Sequence, residues 1–186
     1  MAAVREKARK KGGKQAPRSL PASRPRVRTG AALPELRRVL VPTDLSELGS
    51  AAVPYAYGLV ARGGTVHLLH VVEPPRVPNP LYAHYTPARA PSRAERQLQE
   101  AELSERLRAL VPAAAAERAV ATAVELDEGD EVAERVCAAA ERLGADAICL
   151  GSHGRGGVAR TLLGSVAEQV LRRTRRPVLV VRPEPG

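Results

Sequence analysis

Between residues 36 and 184, short apolar runs of strand length alternate with longer segments of helical period, and this alternation constrains the fold more than any other feature of the chain. The runs are "RVLVP" (Arg38 to Pro42), "TVHLLHVV" (Thr65 to Val72), "AVATAVEL" (Ala119 to Leu126), "AICLG" (Ala147 to Gly151) and "PVLVVRP" from Pro177. Strands separated by helices of roughly 10 to 20 residues cannot pair as hairpins; each connection must cross over, so the strands run parallel and the helices cover the sheet. The expected fold is α/β, a doubly wound five-stranded parallel sheet with helices on both faces. In such sheets ligands sit beyond the carboxyl ends of the strands, where the winding reverses direction.

The helical segments carry their own punctuation. "SELGSAAVPYAYGLVARGG" places Ala51, Ala52, Tyr55, Ala56, Leu59 and Val60 near helical spacing, with Gly63 and Gly64 as a stop and Pro54 either early in the helix or kinking it. Ser92 caps a helix reaching about Val111, with Leu103, Leu107, Leu110 and Val111 as its apolar stripe and Pro112 as its end. Asp130 is the candidate cap of the next helix, in which Val132, Val136 and Leu143 face inward and Gly144 stops the turn. The last helix runs from about Ser165 to Arg173. Before Ser92, "EPPRVPNPLYAHYTPARAPS" holds six prolines and reads as a long loop, residues 73–91 being its extent.

Charge is distributed unevenly. The first thirty residues hold ten Lys and Arg against one acid, Glu6, and account for the whole formal charge of +9; the remainder is balanced. This stretch lacks apolar periodicity, so residues 1–35 are expected to be a basic, disordered tail and residues 36–186 the folded domain. An Arg-rich, acid-poor start also marks organellar transit peptides, but an amphipathic helical face is hard to find here. Neither a secretory apolar region nor a membrane-length run is present, which points to a soluble cytoplasmic protein with no membrane partner. Phe and Trp are absent and Tyr occurs four times, which leaves little for base stacking. Nucleic acid is thus an unlikely partner except through the tail. The run "RRTRR", Arg172 to Arg176, ends a helix, where cations complement the dipole. Cys137 and Cys149 lie in apolar surroundings and read as buried small hydrophobes.

Two strand ends carry the candidate chemistry. "PTDLS" puts Asp44 at the carboxyl end of the first strand, either as a turn or cap residue or as an acceptor for ribose hydroxyls or a base amine. "GSHGRGGVARTLLGS" follows the fourth strand. Gly154, Gly156 and Gly157 there permit positive φ and close approach of backbone amides to an anion. The helix opened by Gly164-Ser165 offers its N-terminal amides and dipole to negative charge. "SVAE" is equally a capping box, Ser165 with Glu168, and Arg155 and Arg160 fit either a phosphate or solvent. All four lysines lie in the tail, so a Walker-type loop is excluded. His67 and His70, three apart on a strand, point to opposite faces and cannot share a metal ion. His153 is the nearest candidate for a hydrolytic base, and a hydrogen-bonding loop residue is its simpler reading; no catalytic residue is assigned.

The spacing Gly151-x2-Gly154-x9-Gly164-Ser165, with "RVLVPTDLS", "TVHLLHVVEP" and "ADAICLGSHGRGGVARTLLGSVAEQVLRRTRRPVLVVRP", resembles the nucleotide-binding branch of the universal stress protein family. The resemblance covers roughly residues 36 to 184. It implies an adenine nucleotide alpha hydrolase-like fold that binds ATP, or AMP or another adenine nucleotide, with Mg2+ as an optional companion. Carried over by position, Pro42, Thr43, Asp44 and Val72 surround adenine and ribose, while Gly151, His153, Gly154, Arg155, Gly164, Ser165 and Val166 line ribose and phosphates. Leu45 departs from the small or aromatic residue common there, and the Pro-rich loop is longer than in the family pattern. The resemblance implies a stress-response or signalling module, slow in hydrolysis at most, that pairs as a homodimer through the last strand (Pro177 to Val181). An interaction module of the same fold without nucleotide is the alternative. Because the charge excess sits in the tail, deleting residues 1–30 should abolish any salt-sensitive DNA affinity in a titration at low ionic strength; affinity that survives the deletion would place the basic surface on the domain.

Overall fold

In the computed structural model of the chain, described for residues 34–74, 91–154 and 163–182, five strands form one all-parallel sheet. The expected tail falls outside the described residues apart from its last two positions, as do most of the Pro-rich loop (75–90) and the centre of the glycine loop (155–162). The elements are β1 (Arg38–Pro42), α1 (Glu47–Ser50), α2 (Val53–Leu59), β2 (Thr65–Val72), α3 (Arg93–Arg108), β3 (Ala121–Glu128), α4 (Val132–Arg142), β4 (Ala147–Gly151), α5 (Ser165–Arg173) and β5 (Val178–Val181). The strand order is β3-β2-β1-β4-β5, so the winding moves outward to one side through β2 and β3 and then restarts on the other side of β1 with β4 and β5. The reversal lies between β1 and β4.

Burial follows from this order. The three inner strands are apolar on both faces, and Val39, Leu40, Val41, Leu68, Leu69 and Ile148 are fully buried. Alternation divides them between two layers. Val39, Val41, Val66, Leu68 and Cys149 pack with Ala52, Val53, Ala56, Tyr57 and Val60 around α2, and with Leu107 of α3. Leu40, Leu69, Val71, Ile148 and Leu150 pack with Ala133, Val136, Ala139 and Ala140 of α4 and with Ala167 and Val170 of α5. The outer strands β3 and β5 are only partly covered, and β5 is an edge of the sheet. Cys149 is buried in the first layer, where desolvation pushes its thiol pKa up to about 12. Cys137 is half-buried rather than fully so.

Several local expectations shift. The segment after β1 is two short helices, not one, with Pro54 in the first turn of α2, where its missing N–H costs nothing. The buried face of α2 is Val53, Ala56 and Tyr57, while Tyr55 and Leu59 are exposed. Tyr57 rotates inward because its hydroxyl reaches Thr122 of β3, a hydrogen bond that lets the ring be buried. This helix ends at Leu59, before the glycines; Gly63 instead takes a left-handed turn (φ 76°) into β2. Ser92 caps α3 in a full capping box with Glu95, but the helix stops at Arg108, and only Leu107 of its stripe is buried. Asp130 does not cap α4: Glu131 holds the cap position without a side-chain bond. Gly144 (φ 59°) closes α4 as expected, its N–H and that of Ala145 reaching back to Glu141 and Ala140.

The third strand begins two residues later than its sequence pattern, because Ala119 sits at φ 52° in the preceding turn. A left-handed conformation strains a residue carrying Cβ by about 1–2 kcal/mol. Ala119→Gly should therefore stabilise the domain by about 0.5–1 kcal/mol once the extra backbone entropy of glycine is subtracted, a rise of about 2 °C in Tm; a lower Tm in a thermal melt would refute the strain.

Candidate functional site

The carboxyl ends of β1 and β4 meet at the reversal of the sheet, and here the candidate residues converge. Pro42 ends β1, paired with Leu69 of β2. Thr43 is buried; its N–H donates to Leu69 O at 2.9 Å, and its hydroxyl accepts from Leu45 N at 3.0 Å and shares a hydrogen bond with Ser50 at 2.9 Å. Asp44 follows, half-buried. Its Oδ1 accepts from both the backbone N–H and the hydroxyl of Ser46, at 3.0 and 2.6 Å, while the Ser46 hydroxyl oxygen accepts from Gly49 N and caps α1. The turn puts Leu45 at φ 63°.

The carboxylate also faces the loop after β4. A Cβ placed on Gly154 would lie 2.5 Å from Asp44 Oδ2, and one on Gly49 would lie 2.1 Å from Oδ1. Both glycines are therefore sites of close approach to the same carboxyl group. Positive φ is not the reason at Gly154, contrary to expectation, since Gly63 and Gly144 are the positive-φ glycines among the described residues. Gly151, the last residue of β4, has its own constraint: a Cβ there would meet Leu48 O at 2.4 Å, so α1 lies directly on the end of β4. Ser152 is buried; its N–H donates to Val181 O at 2.7 Å and its carbonyl accepts from Gly164 N at 2.7 Å. That bond closes the base of the glycine loop. The Ser152 hydroxyl and His153 Nδ1 are 3.0 Å apart, which makes His153 a hydrogen-bonded loop residue.

The N-terminus of α5 differs from the capping-box expectation. Gly164 occupies the cap position without a side chain, and Ser165 is the first helical residue, exposed. Glu168 does not reach back; its carboxylate accepts from Arg172 at 2.7 Å. Among the described residues no cap side chain reaches the first amides of α5, and the dipole there favours an anion. Val166 packs on the α4 side of the core, and Val72 ends β2, its carbonyl accepting from Gly129 N at 3.1 Å. Arg155, with Gly156, Gly157 and Arg160, lies outside the described residues.

Sequence reasoning missed four residues here. Gly49 and Ser50 fall in a stretch whose local pattern is that of one continuous helix. Ser152 lacks any motif. His70, which the sequence offers only as a metal ligand to exclude, is buried, with Nδ1 2.9 Å from Thr43 O. Its parity was the available signal, because in a strand covered on both faces a buried imidazole must find a partner. His67 lies on the other face, 3.5 Å from Glu125. The arginine run is held by acids: Arg172 by Glu168, Arg173 by Glu131 at 3.9 Å, and Arg176 by Glu141 at 2.6 Å, which keeps the Glu141 carboxyl below its ordinary range.

Residues 35–182 match the model of the universal stress protein family, and the chain belongs to that family. Universal stress protein G of Shigella flexneri is 34% identical over 154 residues, 78% of this chain and 99% of that protein. Universal stress protein MJ0531 of Methanocaldococcus jannaschii is 31% identical over 147 residues, covering 78% and 82% respectively. A shorter stretch of 49 residues is 45% identical to universal stress protein MJ0577 of the same archaeon, spanning 26% of this chain and only 30% of that one. The solved structure of MJ0577 superposes with a TM-score of 0.61 over 81% of this chain and 99% of its own, at 24% identity, which supports the shared fold.

The Gly151 contact is with backbone, which cannot swing aside. Gly151→Ala should cost about 2 kcal/mol through overpacking, read as a lower denaturant midpoint with unchanged slope; an unchanged midpoint would mean that α1 moves freely off β4.

Proposed function

We propose that the protein is an adenine-nucleotide-binding stress-response module, with ATP as its ligand, acting as a signalling switch and hydrolysing ATP slowly at most. The observation that carries this reading is the close approach of Asp44 to Gly154 at the reversal of the sheet, beside the side-chain-uncapped N-terminus of α5. A carboxylate suits ribose hydroxyls and repels phosphate, whereas bare helix amides suit phosphate. The two ends of a nucleotide therefore have complementary partners on neighbouring strands. Pro42, Thr43, Asp44 and Val72 form the base and ribose side. Gly151, His153, Gly154, Gly164, Ser165 and Val166, with Arg155 from the loop, form the phosphate side. Among the described residues there is no cluster of three or more His, Cys, Asp or Glu that would hold a metal, so Mg2+ would travel on the phosphates.

The alternative, an interaction module without nucleotide, is favoured by one specific observation. A Cβ on Gly151 would meet the backbone at Leu48 O and Gly164 sits tightly against Ser152 O, so packing accounts for these two glycines without a ligand. In either case the unpaired edge of β5, with Leu179 exposed, is the proposed homodimer seam, since an apolar edge strand invites pairing. The proposed location is cytoplasmic; among the described residues no helix is long and apolar enough to cross a membrane.

Mass spectrometry of ligand released on denaturation, with calorimetric titration of ATP, AMP and cyclic AMP, separates the two readings. Asp44→Asn keeps an oxygen for the Ser46 bonds but loses the charge, so it should weaken nucleotide affinity about tenfold in the same titration. Absence of bound nucleotide together with no measurable affinity for any of the three would establish the interaction module instead.

A further inference from the structure

We infer that His70 is a positioning residue that sets the direction in which Asp44 leaves the sheet, and through it the geometry of the nucleotide site; the second step rests on the function proposed above. His70 is only 8% exposed and shares the face of β2 that carries Val66 and Leu68, in the apolar layer beneath α2 and α3. An imidazole in that layer is costly unless its N–H is paired. The partner is the Thr43 carbonyl, 2.9 Å from Nδ1, and since a carbonyl only accepts, Nδ1 carries the proton.

The location of this bond gives it a purpose. Thr43 is the last residue of the first strand segment still tied to β2, through its N–H to Leu69 O. Directly after it the chain turns away through Asp44 and the left-handed Leu45. The carbonyl of Thr43 and the N–H of Asp44 belong to one planar peptide unit, so a donor on that carbonyl orients the plane from which Asp44 departs. Two further bonds extend the hold, from Leu45 N to the Thr43 hydroxyl and between that hydroxyl and Ser50 of α1. Val or Leu, the residues that fill the neighbouring positions of β2, would occupy the space but supply no donor. His67, three residues earlier, offers the internal contrast: it lies on the other face of β2, against Glu125 of β3.

The test uses the full chain in four forms: wild type, His70→Leu, His70→Asn and His67→Leu. The Asn amide nitrogen stands about where Nδ1 does, so it can restore the donor. Two readouts are taken, ATP affinity by calorimetry and amide exchange at Leu45, Ser46 and Gly49, with Ile148 in β4 as the reference. His70→Leu should weaken ATP about tenfold and speed exchange at the three turn amides by a similar factor, leaving Ile148 protected. His70→Asn should stay within about threefold of wild type on both counts, and His67→Leu should bind as wild type does. If His70→Leu fails to fold, His70→Gln, which carries its donor one carbon further out, takes its place. Wild-type exchange at the turn in His70→Leu, or loss spread equally to Ile148 and not rescued by Asn, overturns the positioning role. If wild type itself binds no adenine nucleotide, the proposed function falls, and the exchange pattern still decides whether His70 holds the turn.

Discussion

The approach of β1's terminal turn to the end of β4 is the constraint on which the rest of the structure depends. Two parallel strands that are neighbours in space but separated by more than a hundred residues in sequence must both end at the same level, and the chain must leave each in a different direction. Asp44 bends the first exit into α1, and α1 then lies on Gly151 at the end of the second strand. No side chain fits at Gly49, Gly151 or Gly154 without displacing Asp44 or a backbone carbonyl. A carboxylate held against the first residues of the loop after β4 is the consequence of this packing, before any ligand enters the argument.

The strands were legible because parallel strands buried on both faces read as unbroken apolar runs. β1, β2 and β4 carry the expected limits, and α5 begins and ends as its pattern suggests. The errors fall where a choice depended on something far away in sequence. Tyr55 and Tyr57 are equivalent in a local pattern; only Thr122, sixty-five residues later than Tyr57, decides which is buried. α1, the separate first turn that the local pattern does not announce, packs against the end of β4, again a distant element. The displaced start of β3 follows from a backbone conformation at Ala119 that alanine does not advertise.

Charge shows the same division between local and distant causes. A run such as Arg172 to Arg176 reads as a basic patch when taken alone. In the fold, three of its arginines meet Glu131, Glu141 and Glu168, drawn from α4, its cap and α5 itself. These are exposed or partly exposed pairs, worth little individually to stability, but they offset three of the four positive charges in the run. The balance of charge over the folded domain, visible in composition, is thus realised as pairing on the surface.

The glycine pattern was the most conspicuous signal in the sequence, yet it discriminates least between a ligand site and a scaffold. A Cβ at Gly151 would meet the Leu48 carbonyl, one at Gly154 the Asp44 carboxyl, and one at Gly164 would sit tightly against Ser152 O, so packing within the protein already favours glycine at all three. The cap of α5 follows the same rule. Gly164 offers no side chain to the first amides, and Ser165 and Glu168 lie one residue out of register for a capping box. Glycine at a cap costs only a few tenths of a kcal/mol against Ser or Asp, and a Cβ at Gly164 would come within 3.1 Å of Ser152 O, so packing against the end of β4 is sufficient reason for the glycine. A turn kept for the fold and a site kept for an anion therefore carry the same residues at this cap, and binding, not the glycine pattern, separates them.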